Sequence, residues 1–187
     1  PEYIKSKSFT TPPNTVGFIS SGMWLRKILG DADSGMNEQE NEKKILEWLM
    51  EFTSAHPQIS LVIYLHPLEK RKEHFALTEK HYSELFRGLK YTFAPLNTSS
   101  ALLFHNSDVV VALYSTLIYE RIYMGFKSLI VPLGIDGFPI KDSTLWRSCA
   151  KDKETFMSKL NYMLKMSKEE YLKFIGFSEF TYPLHFK

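Results

Sequence analysis

Residues 59–67 read ISLVIYLHP, a continuous apolar run that is too short for a helix and is closed by Pro67. Such a run is typical of a central parallel strand that is covered on both faces. We therefore predict a buried strand here. This prediction places His66 at the carboxyl end of the strand, where the chain turns.

Strands and helices are predicted to alternate on both sides of this run. Upstream, TVGFIS at 15–20 predicts a strand, and 37–55 predicts an amphipathic helix. The apolar residues of that helix recur at helical spacing, and we expect its remaining face to carry Glu38, Glu40, Glu42, Lys43 and Lys44. Downstream we predict helices over 77–89, 99–105, 115–124, 154–165 and 168–177 and strands over 91–94, 108–113, 128–133 and, at the edge, 146–150.

Alternating elements with short connections imply a parallel sheet with right-handed crossovers and helices on both faces. The predicted fold class is therefore α/β, with a Rossmann-like, doubly wound sheet. We assign residues 15–166 to this domain and 167–187 to a C-terminal helix and tail. Residues 1–14 (PEYIKSKSFTTPPN) are polar and contain prolines, so we interpret them as an interdomain linker.

The composition narrows the possible functions. The 187 residues include 23 Lys and Arg against 21 Asp and Glu, a balance that argues against a nucleic-acid partner. No stretch approaches the roughly 20 apolar residues of a membrane span. The single cysteine, Cys149, cannot form an internal disulfide, and the histidines lack the spacing of a metal site. We therefore predict a cytoplasmic protein that needs no metal or other cofactor.

Small and polar residues follow the first two predicted strands. In open parallel sheets, ligands bind outside the carboxyl ends of the strands. Ser20, Ser21 and Gly22 could present backbone amides and hydroxyls to an anion, and the His66 imidazole could donate to a phosphate or a ribose hydroxyl, aimed by Pro67. A plain loop and a structural histidine are the alternatives.

A second group follows the strand predicted at 108–113. Ser115 and Thr116 would begin a helix, whose N-terminal amides favour a phosphate, while simple N-capping explains Ser115 equally well. Glu120 follows about one turn later and could accept ribose hydroxyls, or it could lie on a solvated helix face. All these candidates fall at the same edge of the predicted sheet.

The order of these motifs resembles the C-terminal domain of GT-B glycosyltransferases over about residues 15–164. Bacterial surface-polysaccharide enzymes, including CDP-glycerol-type polymerases and sialyltransferases, have a similar His-Pro pair and a hydroxyl pair after an NSDVVVAL-type strand. Those families usually have two serines where Ser115 and Thr116 stand. The resemblance implies that His66, Ser115 and Thr116 contact phosphate, that Glu120 lies by the ribose, and that the sugar or base approaches the loop of Gly134, Asp136 and Gly137.

The resemblance also implies what the domain does. We expect one half of a GT-B enzyme, which binds a CMP-, CDP- or UDP-linked sugar for capsule, lipopolysaccharide or teichoic-acid-type polymers. In these families the general base belongs to an N-terminal acceptor-binding domain, so transfer would need that partner. The full-length enzyme would work in the cytoplasm, at the inner face of the membrane. The alternatives are a nonhydrolysing sugar-nucleotide epimerase-like domain and a non-enzymatic Rossmann-like interaction domain.

Overall fold

Five parallel strands form one sheet in the order β3-β2-β1-β4-β5. The computed structural model describes residues 12–31, 36–135, 140 and 143–176. The strands are β1 (Thr15–Ile19), β2 (Ser60–Tyr64), β3 (Tyr91–Phe93), β4 (Val109–Ala112) and β5 (Ser128–Ile130).

Helices connect and cover these strands. They are α1 (Met23–Ile28), α2 (Met36–Ala55), α3 (Lys72–Leu85), α4 (Thr116–Tyr123), α5 (Lys153–Lys165) and α6 (Lys168–Phe174), with 3₁₀ helices at Ser100–Asn106 and Thr144–Ser148. Right-handed crossovers put α2 and α3 on one face and α4 on the other. The Trp48 and Phe156 rings lie 5.5 Å apart, so α5 packs beside α2. The predicted Rossmann-like α/β fold is confirmed.

The apolar runs of the sequence form the centre of the sheet. Val16 of β1 pairs with Leu61 on one side and with Val109 on the other. All residues of β1 and β4 are buried, as expected when helices cover both faces of a parallel sheet. The core is therefore continuous through the strands rather than confined to one side of the sheet.

Gly17 in β1 leaves the space that its neighbours fill. A Cβ at this position would lie 2.7 Å from both Tyr64 Cε2 and Val110 Cγ2. We expect Gly17→Ala to lower the free energy of unfolding by roughly 2 kcal/mol, because the packed side chains must move apart. Urea denaturation measures this change, with Ser60→Ala on the exposed position of β2 as the control. An unchanged midpoint in Gly17→Ala would show that Tyr64 moves aside at no cost.

Some predicted boundaries are wrong. The edge strand predicted at 146–150 is a 3₁₀ helix over Thr144–Ser148, because local hydrogen bonds such as Cys149 N–H to Trp146 O replace most sheet pairing. Only a bridge between Cys149 and Ile130 remains. Helix α3 begins at Lys72 and ends at Leu85, four to five residues before the predicted bounds. Strand β5 is shorter than predicted, and α1 was not predicted.

Helix α6 and the loop before β5 pack on this core. The Tyr171 hydroxyl of α6 donates to Ser128 O at 3.1 Å, and its side chain is fully buried. The Lys127 ammonium donates to Met163 O and Met166 O and pairs with Asp108 at 2.7 Å. These contacts tie the end of α5 to the amino end of β5.

Candidate functional site

The carboxyl ends of β1 and β4 mark the switch point of the sheet. From β1 the chain continues to β2 on one side, and after β3 it returns to β4 on the other side of β1. A crevice for ligands forms where crossovers diverge in this way. Four loops border this edge: residues 20–22, 65–71, 113–115 and 131–135. The sheet order therefore brings together the loops that carry the predicted site residues.

The turn after β2 fixes the state of His66. The Leu68 backbone N–H donates to His66 Nδ1 at 3.2 Å, so Nδ1 is unprotonated and Nε2 carries the proton of the neutral ring. Partial burial lowers the pKa of His66, and the charges of Arg26 and Arg71 lower it further. The imidazole is therefore neutral at pH 7 and can donate one hydrogen bond through Nε2. Pro67 beside it is exposed.

Glu69 lies beneath this turn and is completely buried. Its Oε1 accepts from Trp24 Nε1 at 2.6 Å and from the Tyr82 hydroxyl at 3.0 Å, and its Oε2 accepts from the His66 backbone N–H at 2.7 Å. Burial raises the pKa of Glu69, and hydrogen bonds, including one with Ser20, oppose this rise. One carboxylate thus joins α1, α3 and the turn after β2.

A second buried carboxylate, that of Glu42, binds the loop after β1. Glu42 of α2 accepts from the Ser21 backbone N–H at 2.8 Å and from the Ser21 hydroxyl at 2.5 Å. Burial raises the pKa of Glu42 from 4.5 to about 7, while hydrogen bonds from Ser21 and the Met23 backbone oppose the rise. Ser20 is buried and its hydroxyl accepts from Gly22 N–H. These donors, which the sequence suggested for a ligand anion, already have partners within the protein.

Gly22 brings this loop against His66. Its φ is +68°, and a Cβ there would lie 3.0–3.1 Å from the His66 Cβ and ring atoms. A side chain would therefore be strained by the backbone conformation and crowded by the imidazole. Gly22 therefore allows the backbone of the loop after β1 to pack directly against the His66 ring in the turn after β2.

The first turns of α2 hold three of the four loops. Glu38 accepts a hydrogen bond from the Tyr114 hydroxyl after β4, and Asn41 Nδ2 donates to Leu133 O after β5 at 2.8 Å. Glu42, one residue further, holds the loop after β1. Burial, followed by the bond to Glu38, raises the pKa of Tyr114 to about 12.

Ser115 and Thr116 stand at the N-terminus of α4. Ser115 is the N-cap, and its Oγ accepts from Leu117 N–H at 3.2 Å. Since a hydroxyl can accept and donate together, the Ser115 O–H proton remains available to a phosphate oxygen. Thr116 is exposed and so is Glu120, about one turn further along α4. The positive end of the α4 dipole faces this edge of the sheet.

The structure thus places His66, Pro67 and Ser115 on loops at one edge and Thr116 at the first position of α4, while Ser20 and Ser21 hydrogen-bond within the protein in the loop after β1. Gly134 has a φ of +69° and lies against Asn41, where a Cβ would collide with Nδ2. The predicted sugar or base residues Asp136 and Gly137 lie outside the described residues.

Four charged residues of this edge were missed by the sequence analysis. Arg26 and Arg71 are close enough to His66 to lower its pKa. Glu42 and Glu69 are buried hydrogen-bond acceptors, whereas Glu42 was expected on the solvated face of its helix. Only the position of Arg71, shortly after the His-Pro pair, gave a signal in the sequence.

Within residues 12–31, 36–135, 140 and 143–176, no group of three or more His, Cys, Asp and Glu side chains is arranged to hold a metal ion. In the same part of the chain, no helix is long and apolar enough to cross a membrane.

Comparison with solved structures defines the class of fold. One match is an O-GlcNAc transferase mutant from Thermobaculum terrenum. The alignment covers 90% of this chain and 34% of the transferase chain, with a TM-score of 0.57 and 14% sequence identity. Another match is UDP-GlcNAc 2-epimerase from Neisseria meningitidis, bound to UDP-GlcNAc. The alignment covers 93% of this chain and 42% of the epimerase chain, with a TM-score of 0.54 and 11% sequence identity. A third match is UDP-GlcNAc 2-epimerase from Methanocaldococcus jannaschii, in complex with UDP-GlcNAc and UDP. The alignment covers 89% of this chain and 44% of the epimerase chain, with a TM-score of 0.53 and 13% sequence identity.

These neighbours have GT-B glycosyltransferase-like folds, and this chain shares the Rossmann-like α/β fold with them. At 11–14% identity the likeness shows the fold alone. The chain spans less than half the length of each neighbour. No protein-family model matches the sequence, and no curated protein matches it.

Proposed function

We propose that this chain is the nucleotide-sugar-binding domain of a GT-B-type glycosyltransferase. The observation that carries the proposal is the pair of donors at the switch point: neutral His66, with its proton on Nε2, and the Ser115-capped N-terminus of α4. Both can donate to a phosphate oxygen without giving up their internal contacts. The neighbours include two enzymes solved with UDP-GlcNAc, which supports a nucleotide sugar as the ligand class.

We propose a position for the ligand from the same geometry. The phosphate lies between His66 and the start of α4, with Arg26 and Arg71 adding positive charge. The ribose lies by Glu120, and the sugar or base extends toward the loop that begins at Gly134. The loop at Ser20–Gly22 supports the site without contacting the ligand, because its backbone amides donate to Glu42 and to the Ser20 hydroxyl.

In the whole enzyme we propose that an N-terminal acceptor-binding domain supplies the general base. The helix amides, Ser115 and Thr116 then stabilise the charge that develops on the departing phosphate. We further propose a CMP-, CDP- or UDP-linked donor, no metal requirement and a role in surface-polysaccharide synthesis in the bacterial cytoplasm, at the inner face of the membrane.

Calorimetric titration of the chain with CMP, CDP, UDP and GDP tests the ligand class. We expect saturable binding of one nucleotide and roughly 10- to 100-fold weaker binding by Ser115→Ala and His66→Ala, since a hydrogen bond to a charged group contributes about 1.5–3 kcal/mol. Thermal unfolding of His66→Ala should stay close to that of the unmodified chain.

Ser167→Ala is the matched control for Ser115→Ala. Ser167 is also an N-cap, accepting from Glu170 N–H at 3.1 Å, but it begins α6 near the opposite edge of the sheet. Both substitutions remove a cap and should cost about 1 kcal/mol of stability. Only Ser115→Ala should weaken nucleotide binding. Equal affinities of the two variants would contradict a phosphate contact at Ser115.

The epimerase-like alternative has a specific observation in its favour, because two of the neighbours are UDP-GlcNAc 2-epimerases. Conversion of UDP-GlcNAc without any acceptor, followed by NMR of the sugar protons, would favour that alternative. If none of the four nucleotides binds, the non-enzymatic interaction domain becomes the better description of the chain.

A further inference from the structure

The buried Glu69 carboxylate reaches three elements around the proposed phosphate site. We propose that Glu69 is a positioning residue for His66, which holds the turn after β2 so that the imidazole keeps its proton on Nε2 and offers it to the ligand. This inference rests on the proposed function, in which His66 contacts phosphate. Glu69 itself does not touch the ligand.

The hydrogen bonds divide between the two oxygens of Glu69. Oε2 accepts from the His66 backbone N–H, and Oε1 accepts from Trp24 Nε1 and the Tyr82 hydroxyl. The Thr78 hydroxyl donates to the Glu69 carbonyl at 3.2 Å and fixes the backbone as well. The carboxylate is therefore anchored on α1 and α3 and uses its other oxygen to hold His66.

The hydrogen bonds of this turn also fix the position of the His66 ring. With the His66 backbone held by Glu69 Oε2, the Leu68 N–H lies 3.2 Å from His66 Nδ1 and keeps that nitrogen unprotonated. Gly22 packs against the imidazole, close to its Cγ and Nδ1. A change at Oε2 should release the turn, loosen the bond to Nδ1 and allow the ring to change tautomer.

A glutamine cannot replace this carboxylate. The Trp24 indole and the His66 amide are donors only, and they approach different oxygens of Glu69. The single carbonyl oxygen of glutamine can serve one of them, and its NH₂ group then opposes the other donor. Tyr82 differs, because its hydroxyl can accept as well as donate.

This difference between Trp24 and Tyr82 predicts that a second substitution can restore what Glu69→Gln loses. In Trp24→Phe/Glu69→Gln the indole donor is gone, so the amide oxygen can turn to the His66 N–H while the NH₂ group donates to the Tyr82 hydroxyl. Phenylalanine keeps an aromatic ring against His81, on which Trp24 stacks at 3.9 Å. The double variant should recover the arrangement of His66 that Glu69→Gln loses.

The test measures the His66 ring by ¹⁵N and ¹³C NMR and the affinity for the nucleotide that binds best among CMP, CDP, UDP and GDP. We expect the Nε2–H form in the unmodified chain, a mixture of tautomers and about tenfold weaker binding in Glu69→Gln, and recovery of both in the double variant. Tyr82→Phe removes a donor to Oε1 and is the control; its His66 signals should match those of the unmodified chain.

Two outcomes overturn the proposal. One is unchanged His66 ring signals in a folded Glu69→Gln. The other is a double variant whose His66 signals remain as disturbed as those of Glu69→Gln, or, if that single variant does not fold, differ from those of the unmodified chain. If no nucleotide binds the unmodified chain, the proposed function fails, but the ring signals still decide whether Glu69 positions His66.

Discussion

Arg121→Met is expected to lower the free energy of unfolding by about 3–5 kcal/mol, because a buried carbonyl left without its donor costs about 1–3 kcal/mol and several lose theirs. Arg121 of α4 is fully buried and donates to the carbonyl oxygens of Phe104, Ser107, Asp108 and Lys127. Its guanidinium lies 5.0 Å from the centre of the Phe126 ring. Methionine fills similar space but leaves these buried carbonyls without their donor.

Arg147→Met is the matched control for this prediction. Arg147 also donates to a carbonyl, Phe174 O at 2.9 Å, but it is exposed, so water can replace the bond. Urea denaturation of both variants should show a shift of less than about 1 kcal/mol for Arg147→Met. Equal shifts would contradict the view that Arg121 holds α4 against the sheet.

Glu42→Gln is expected to remove a pH dependence of stability worth roughly 3 kcal/mol, from 1.36 kcal/mol per pKa unit. The pKa of Glu42 is about 7 in the folded chain against an ordinary value of 4.5. The folded state therefore binds a proton more tightly than the unfolded state. This contribution is fully present below pH 4.5 and is lost as the pH rises through about 7. At pH 8 the glutamine variant should be the more stable protein.

Glutamine at this position can keep both hydrogen bonds that Glu42 makes with Ser21, whereas glutamine at position 69 cannot serve both donors of Glu69. Its carbonyl oxygen can accept from the Ser21 N–H, and its NH₂ group can donate to the Ser21 hydroxyl oxygen. Glu69 lies near and also has a raised pKa, so the comparison must be between variants at each pH. Glu47→Gln on the exposed face of α2 should keep the pH dependence. If Glu42→Gln keeps it too, Glu42 is not its source.

The fold could be predicted because its central strands are marked clearly in the sequence. The apolar runs of β1, β2 and β4 are bounded by proline, glycine and serine, and the burial of β1 and β4 on both faces follows from their composition. Helix α1 could not be predicted because it has six residues and buries only Trp24 and Leu25. Its position depends on Glu42 and Glu69, which lie far away in the sequence.

The site could be predicted only in outline. Parallel strands end at the same edge, so the order of the motifs was enough to predict that His66 and Ser115 follow strands at that edge; the structure has these strands, β2 and β4, on either side of β1. The roles of the acidic residues required the tertiary structure. Glu42 lies in the charged run NEQENEKK, where a buried carboxylate and a solvated one look the same. Its burial arises because the loop after β1 folds onto α2.

Two of the bonds that α2 makes to the loops end on main-chain atoms: Asn41 binds the carbonyl of Leu133, and Glu42 binds the amide of Ser21. Main-chain atoms persist whatever side chain evolution selects at those positions. Apart from Gly22 and Gly134, side chains in the loops after β1 and β5 can therefore change while these two anchors remain. The positions of these loops relative to α2 thus depend on the backbone more than on the side chains that the loops present.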